Sequence, residues 1–198
     1  MRKKIKYSPV RPSSPVDYNS FLSLETAKLH LRMDHDDDDD IIEIYRDAAM
    51  RTAEHETGRM VADDELIFYC DRLPGSQENY EINIPVLPIS SIDEIAYYDG
   101  NDWAVIPDTE YRSDLISEPS RVRFVSTDFD IDEDTPMPIR ITLTAGYSSS
   151  NVPQEFINGA LLVLGSMYEN RQDVVIGTIA TKIPKGSEFL FQQLRIVY

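Results

Sequence analysis

Between Asp34 and Asp40 the chain sets six aspartates around His35, with His30 about one helical turn earlier. Carboxylates and imidazoles are ligands for divalent cations, so the first chemistry to weigh is metal binding, and with it a metal-dependent hydrolase. The spacing argues against a built site. A calcium loop alternates its oxygen ligands, turns on a glycine and closes on a bidentate glutamate. Here Asp36, Asp37, Asp38, Asp39 and Asp40 run consecutively with no glycine among them. Consecutive side chains on a helix point apart and do not converge on one ion. The same residues read better as a helix start, where each negative charge near the N-terminal dipole contributes about 0.3–1 kcal/mol. His30, His35 and His55 are the only histidines, and none stands in an HExxH or similar ligand spacing. They read as surface or interhelical hydrogen-bonding groups. The chain has no GxSxG, no Gly-rich phosphate loop and no cysteine paired with a base; the Ser148, Ser149, Ser150 run reads as a loop. No catalytic residue, metal ligand or cofactor site is nominated, and the chain reads as a protein that is not an enzyme.

The totals bound what these residues can be part of. At 198 residues with 41% apolar content the chain can bury a core and one subdomain. The single cysteine, Cys70, excludes an internal disulfide framework and a cysteine zinc cage. The longest apolar run falls short of a bilayer span, and the basic N-terminus has no apolar stretch behind it to make a secretory signal. The expectation is a soluble protein of a reducing compartment. Charge is lopsided: Arg2, Lys3, Lys4, Lys6 and Arg11 occupy a start without acids, leaving 14 basic against 35 acidic groups, a net of −21, for the remainder. Such a body repels phosphate backbones. Charge alone also suits an acidic DNA mimic, an alternative that needs phosphate-like spacing of the acids.

The elements that must position these groups follow from periodicity. Residues 1–19 read as a flexible basic arm interrupted by Pro9, Pro12 and Pro15. Ser23 is a candidate N-cap for a helix to about Met33. A second helix starts within the aspartates, carries Ile41, Tyr45, Ala48 and Thr52 as one stripe with Ile42, Ala49 and Ala53 beside it, and ends at Gly58. From 65 to 150 the pattern changes to short β-rich runs at 66–70, 80–84, 92–98, 103–106, 122–125 and 139–144, alternating polar and apolar as half-buried antiparallel strands do. Asp99, Gly100, Asn101 and Asp102 read as a hairpin turn. Helix returns at Pro153 with an apolar girth that places it centrally, and a last short amphipathic piece covers 189–194. The fold class is α+β: a mainly helical bundle core drawn from both chain ends, 20–64 and 151–198, with an inserted antiparallel β-rich subdomain at 65–150.

The order of these segments carries a resemblance. Residues 22–59 (LSLETAKLHLRMDHDDDDDIIEIYRDAAMRTAEHETGR), then 86–95 (VLPISSIDEI), 139–153 (IRITLTAGYSSSNVP), 160–171 (ALLVLGSMYENR) and the closing 183–198 (IPKGSEFLFQQLRIVY) together resemble tailed-phage head–tail connector proteins, also called adaptor or head-completion proteins, in a subfamily with a β-rich insertion. The ending Arg195, Ile196, Val197, Tyr198 departs from that family's pattern, and the basic arm lies outside the resemblance.

What the resemblance implies is structural. Such a protein forms a ring under the portal, commonly a dodecamer, extends the DNA channel and offers a surface for tail attachment. Its expected partners are the portal protein, a tail or head-completion (stopper) protein and further copies of itself, with genomic DNA passing nearby and no membrane and no cofactor. The expected location is the virion head–tail junction, with host cytoplasm during assembly. C-terminal segments of adaptors dock on the portal, which makes Phe189, Leu190, Phe191, Leu194, Ile196, Val197 and Tyr198 the candidate portal or subunit interface. An acidic lumen would keep phosphates from sticking as the genome slides through.

Overall fold

The structure, a computed structural model, describes residues 5–7, 11–12, 15–76, 79–171 and 186–196. Among the described residues, four α-helices and two antiparallel sheets fall into two compact units, giving the α+β class read from the sequence. One unit comprises Asp17–Ala62 and Tyr147–Arg195; the other comprises Met1–Val16, Asp63–Gly146 and Ile196–Tyr198.

In the helical unit, the Ser23 hydroxyl accepts the Thr26 N–H at 3.1 Å, which fixes the start of α1 (Leu24–Leu31) at the expected cap. α1 ends at Arg32 in the left-handed region, φ 57°, and the Met33 N–H returns to the Lys28 carbonyl at 2.9 Å. α2 (Asp39–Thr57) begins inside the aspartate run and stops at Gly58, φ 73°, a conformation that glycine adopts without steric cost. Its buried side is Ile42, Arg46, Ala49, Met50, Ala53 and Thr57. The expected stripe of Ile41, Tyr45, Ala48 and Thr52 is only half-buried, so the helix is turned toward the neighbouring row. α3 (Gln154–Glu169) follows Pro153, which stands just before the helix and not at its first residue, with φ −57° and ψ 136°. α3 packs against α1, α2 and α4 (Gly186–Leu194), which makes it the central helix, as its apolar girth requires.

One glycine sets the spacing of α3 and α4. A methyl on Gly159 would stand 2.3 Å from the Phe191 ring, so α3 and α4 meet at a distance only glycine permits. Six residues on, the His30 imidazole lies against Gly165, 3.5 Å from where a Cβ would be, an ordinary contact distance.

The other unit holds the sheets. The first has the order β1 (Arg11–Pro12), β2 (Asp64–Cys70), β8 (Ile139–Ala145), β4 (Ile89–Tyr98), β5 (Trp103–Val105). β8 is the middle strand, with Ile141 opposite Phe68 on one side and Ile95 on the other. Ile139, Ile141, Leu143 and Ala145 are buried while Arg140, Thr142 and Thr144 are not, which is the period-two pattern of the sequence. Burying each of Ile139, Ile141 and Leu143 contributes about 1.5–3 kcal/mol. Asp99 shapes the β4–β5 turn: its Oδ1 accepts the Asn101 N–H at 2.8 Å and the Asp102 N–H at 2.9 Å, and Gly100 takes φ 96°. The second sheet is β3 (Glu81–Asn83), β7 (Arg121–Phe124), β6 (Tyr111–Asp114). β6 was not anticipated.

The N-terminal arm is extended, yet its described residues are held. Arg11 and Pro12 pair with Ile67 and Leu66, Tyr7 bridges to Cys70, and Lys6 and Asp71 exchange hydrogen bonds of 3.0 and 3.1 Å. The open edge of β2 supplies the unpaired backbone groups that hold it, and an edge is where Pro12 is tolerated.

Candidate functional site

The aspartates lie where α1 turns into α2, and their partners are on neighbouring helices. Lys28 of α1 reaches across the turn to Asp36 at 2.5 Å and to Asp39 at 2.7 Å. Asp38 occupies the N-cap position of α2 but makes no capping hydrogen bond with its side chain. Its carboxylate accepts instead from the Tyr168 hydroxyl and, at 3.0 Å, from Nη2 of Arg171, at the far end of α3. The expected capping role is therefore replaced by a helix-to-helix tie. The hydrogen bond from Tyr168, then Arg171, holds the Asp38 carboxyl below the usual aspartate range, and Lys28 does the same for Asp36. In return Asp36 and Asp39 raise the Lys28 ammonium, and Asp38 raises the Tyr168 phenol.

These ties leave no converging ligand set. Among the described residues no group of three or more His, Cys, Asp or Glu is placed to hold a metal ion. His30 faces α3, His35 stands 3.7 Å from Asp37, and His55 is exposed on the last turn of α2. Cys70 is buried in β2, where desolvation pushes its thiol far up, away from nucleophilic use.

The C-terminal interface candidates divide by burial. Phe189 is 66% exposed, and Leu190 and Leu194 are half-buried. Phe191, at 4%, packs on Gly159, and Ile196 is buried as well. Val197 and Tyr198 lie outside the described residues, as does much of the expected stretch before α4.

Two buried polar arrangements escaped the sequence reading. Arg59, 8% exposed, donates from Nε to the Leu194 carbonyl at 2.7 Å and from Nη1 to the Tyr147 hydroxyl at 3.1 Å, clasping the C-terminal end of α4. Glu54 accepts the Tyr18 hydroxyl at 2.8 Å and the Val61 N–H at 2.9 Å, with Arg51 over the Tyr18 ring. Burial pushes the Glu54 carboxyl up, against the opposing pull of Val61, Tyr18 and Arg51; burial and then Glu54 push the Tyr18 phenol up. The only sequence signal was the position of Arg59 directly after the Gly58 stop.

The described part of the molecule is thus a two-unit α+β framework in which carboxylates of the aspartate corner tie helices together. Residues 21–103 match the family described as phage gp6-like head-tail connector protein, so this segment carries the head–tail connector pattern that residues 22–59 resemble. No curated protein matches the chain. Among solved structures, the fold is similar to a chain in the neck of an empty GTA particle computed with C6 symmetry, with a TM-score of 0.76, 17% identity, and coverage of 96% of this chain and 97% of that one. It is also similar to a chain in the virion of the native gene transfer agent (GTA) particle, TM-score 0.73, 17% identity and 96% of both chains, and to one in the neck of the native GTA particle computed with C12 symmetry, TM-score 0.70, 16% identity, 96% of this chain and 97% of that one. These likenesses are of the fold. No described helix is long and apolar enough to cross a membrane.

Proposed function

We propose that the protein is a structural head–tail connector of a phage or phage-like particle, forming a ring beneath the portal that continues the DNA channel and receives the tail or a stopper protein. The observation that carries this reading is the connector-family match over residues 21–103, spanning both helices of the aspartate corner and the strands up to Trp103. The fold likeness to chains of a particle neck, over nearly the full length, supports it. So does the chemistry of the corner, where the carboxylates serve as ion-pair partners between helices. Its work is then non-enzymatic: holding position, closing a ring and passing DNA without retaining it. In this reading the C-terminal segment meets the portal, with Phe189 as its exposed apolar anchor. The division into a helical connector core and a β-rich insertion is part of the same reading.

The test is a particle lacking the gene. Such a strain is expected to give DNA-filled or leaking heads without tails, and cryo-EM reconstruction of the portal vertex should lose one ring of density that a plasmid-borne copy restores. Normal tailed particles, or a vertex unchanged by the deletion, would refute the connector reading.

A further inference from the structure

The exposed face of β3–β7–β6 carries an unusual charge pattern. Two cross-strand rows lie on it, Glu81–Arg123–Arg112 and Asn83–Arg121–Asp114, turned away from buried Ile82, Val122 and Phe124. Arg121 takes both acids, 3.2 Å from Asp114 and 3.7 Å from Glu81. Arg112 turns Nη1 to the carbonyls of Asp108, Thr109 and Tyr111, and Arg123 has no ion pair among the described residues. Directly opposed like charges weaken a sheet, so the Arg112–Arg123 pair opposes the stability of its own unit. It does so in a chain of net charge −16. Apolar groups flank the arginines. Val125 extends the same face and is 65% exposed; Ile116, in the β6–β7 turn, is 97% exposed. That turn is held by Asp114, whose Oδ1 accepts the N–H groups of Ile116 and Ser117 at 3.3 and 3.1 Å. Ile116 is therefore presented with little left to order on binding.

The helical unit carries the complement. A groove of about 430 Å³ beside α1 is lined by Leu24, Leu29 and Met33 with Glu25, Asp34, Asp39 and the ion-paired Lys28, and Leu29 is 78% exposed. Beside it the Asp36 and Asp37 side chains are 88% and 93% exposed. The six aspartates of this corner meet two basic side chains, Lys28 and Arg171, which leaves most of the negative charge unmatched.

We propose that the arginine face of one copy, with Ile116 and Val125, seats on the α1–α2 groove and aspartates of the next copy. This contact is heterologous, joining two different patches, which is the kind that closes a ring. It deepens the ring reading above and rests on it. A second copy fits better than DNA: three arginines with two acids among them are too weak to retain phosphate against so acidic a body, and a nucleic-acid backbone leaves the Leu29 groove unfilled.

Charge reversal tests the contact. Arg112→Glu with Arg123→Glu makes one variant and Asp36→Lys with Asp37→Lys the other; all four side chains project from the surface, and circular dichroism checks that both variants fold. Assembly is read by mass photometry on purified protein, or on purified rings of the cognate portal where the wild type alone is monomeric. Each variant alone should lose assembly by roughly tenfold or more. An equal mixture should regain it, because alternating copies then place every reversed face against an oppositely charged one. Wild-type assembly by both variants, or a mixture that stays monomeric, overturns the proposal while leaving the ring reading in place. Normal assembly of the arginine variant together with lost DNA retention overturns it in favour of a phosphate partner. Wild-type protein that neither self-assembles nor joins a portal overturns the ring reading itself, and the contact with it.

Discussion

The residues that matter most to the helical unit are charged ones that a sequence reading assigns to the surface. Arg59 is buried because its planar fork satisfies two acceptors at once, one of them the Leu194 carbonyl near the end of α4. Arg59→Ala is expected to cost about 2–3 kcal/mol in urea unfolding, since the carbonyl is left without its charged donor. Arg59→Lys, a point charge without the fork, should recover only part of that. Glu54 predicts a pH effect. Its folded carboxyl binds a proton more tightly than the unfolded one, so stability falls as pH rises from the usual glutamate range through the raised value. Glu54→Gln should remove that slope, measured as unfolding free energy at about pH 5 and about pH 7.5. Asp36 and Asp38 act with the opposite sign: their carboxyls are lowered, and their contribution is lost as pH drops below the usual aspartate range.

Among the elements, α2 was legible at both ends because its signals are local: an acidic start and a glycine stop. Its rotation was not, because Arg46 counts as polar in any apolar stripe yet is 5% exposed, with Nη1 donating to Asn19 at 2.7 Å and Nη2 paired with Asp47 at 2.9 Å. β8 and β2 were legible as alternation, while β6, reading Tyr-Arg-Ser-Asp, has no apolar alternation to detect. The aspartate corner was legible as a helix start and not as a tie to α3, since Tyr168 and Arg171 are remote in sequence from Asp38. Packing of α4 on α3 is likewise invisible until Gly159 and Phe191 meet. Gly159→Ala tests that contact: the added methyl overpacks the site, at about 1–3 kcal/mol. Limited proteolysis should then cut faster around α4, with a lower thermal midpoint.

At the scale of the whole molecule, charge decides what the protein does not hold. The residues after the first twelve carry a net of −21, so fluorescence anisotropy with duplex DNA at about 150 mM salt should show no saturable binding. Calorimetric titration with Mg²⁺, Mn²⁺ or Ca²⁺ should likewise give only dilution heats, because among the described residues no three carboxylates or imidazoles converge on one point. Ala62 and Tyr147 form a parallel bridge, and the Tyr147 N–H donates to the Val61 carbonyl at 3.0 Å. The chain therefore departs from the helical unit and re-enters it at adjoining points, as an inserted cassette does. Replacing residues 63–146 by a short glycine-containing linker should leave a chain with the helical circular dichroism of α1 to α4. The gap to be closed is one backbone bridge wide, which lets the segment between change length and sequence while the helical frame stays the same.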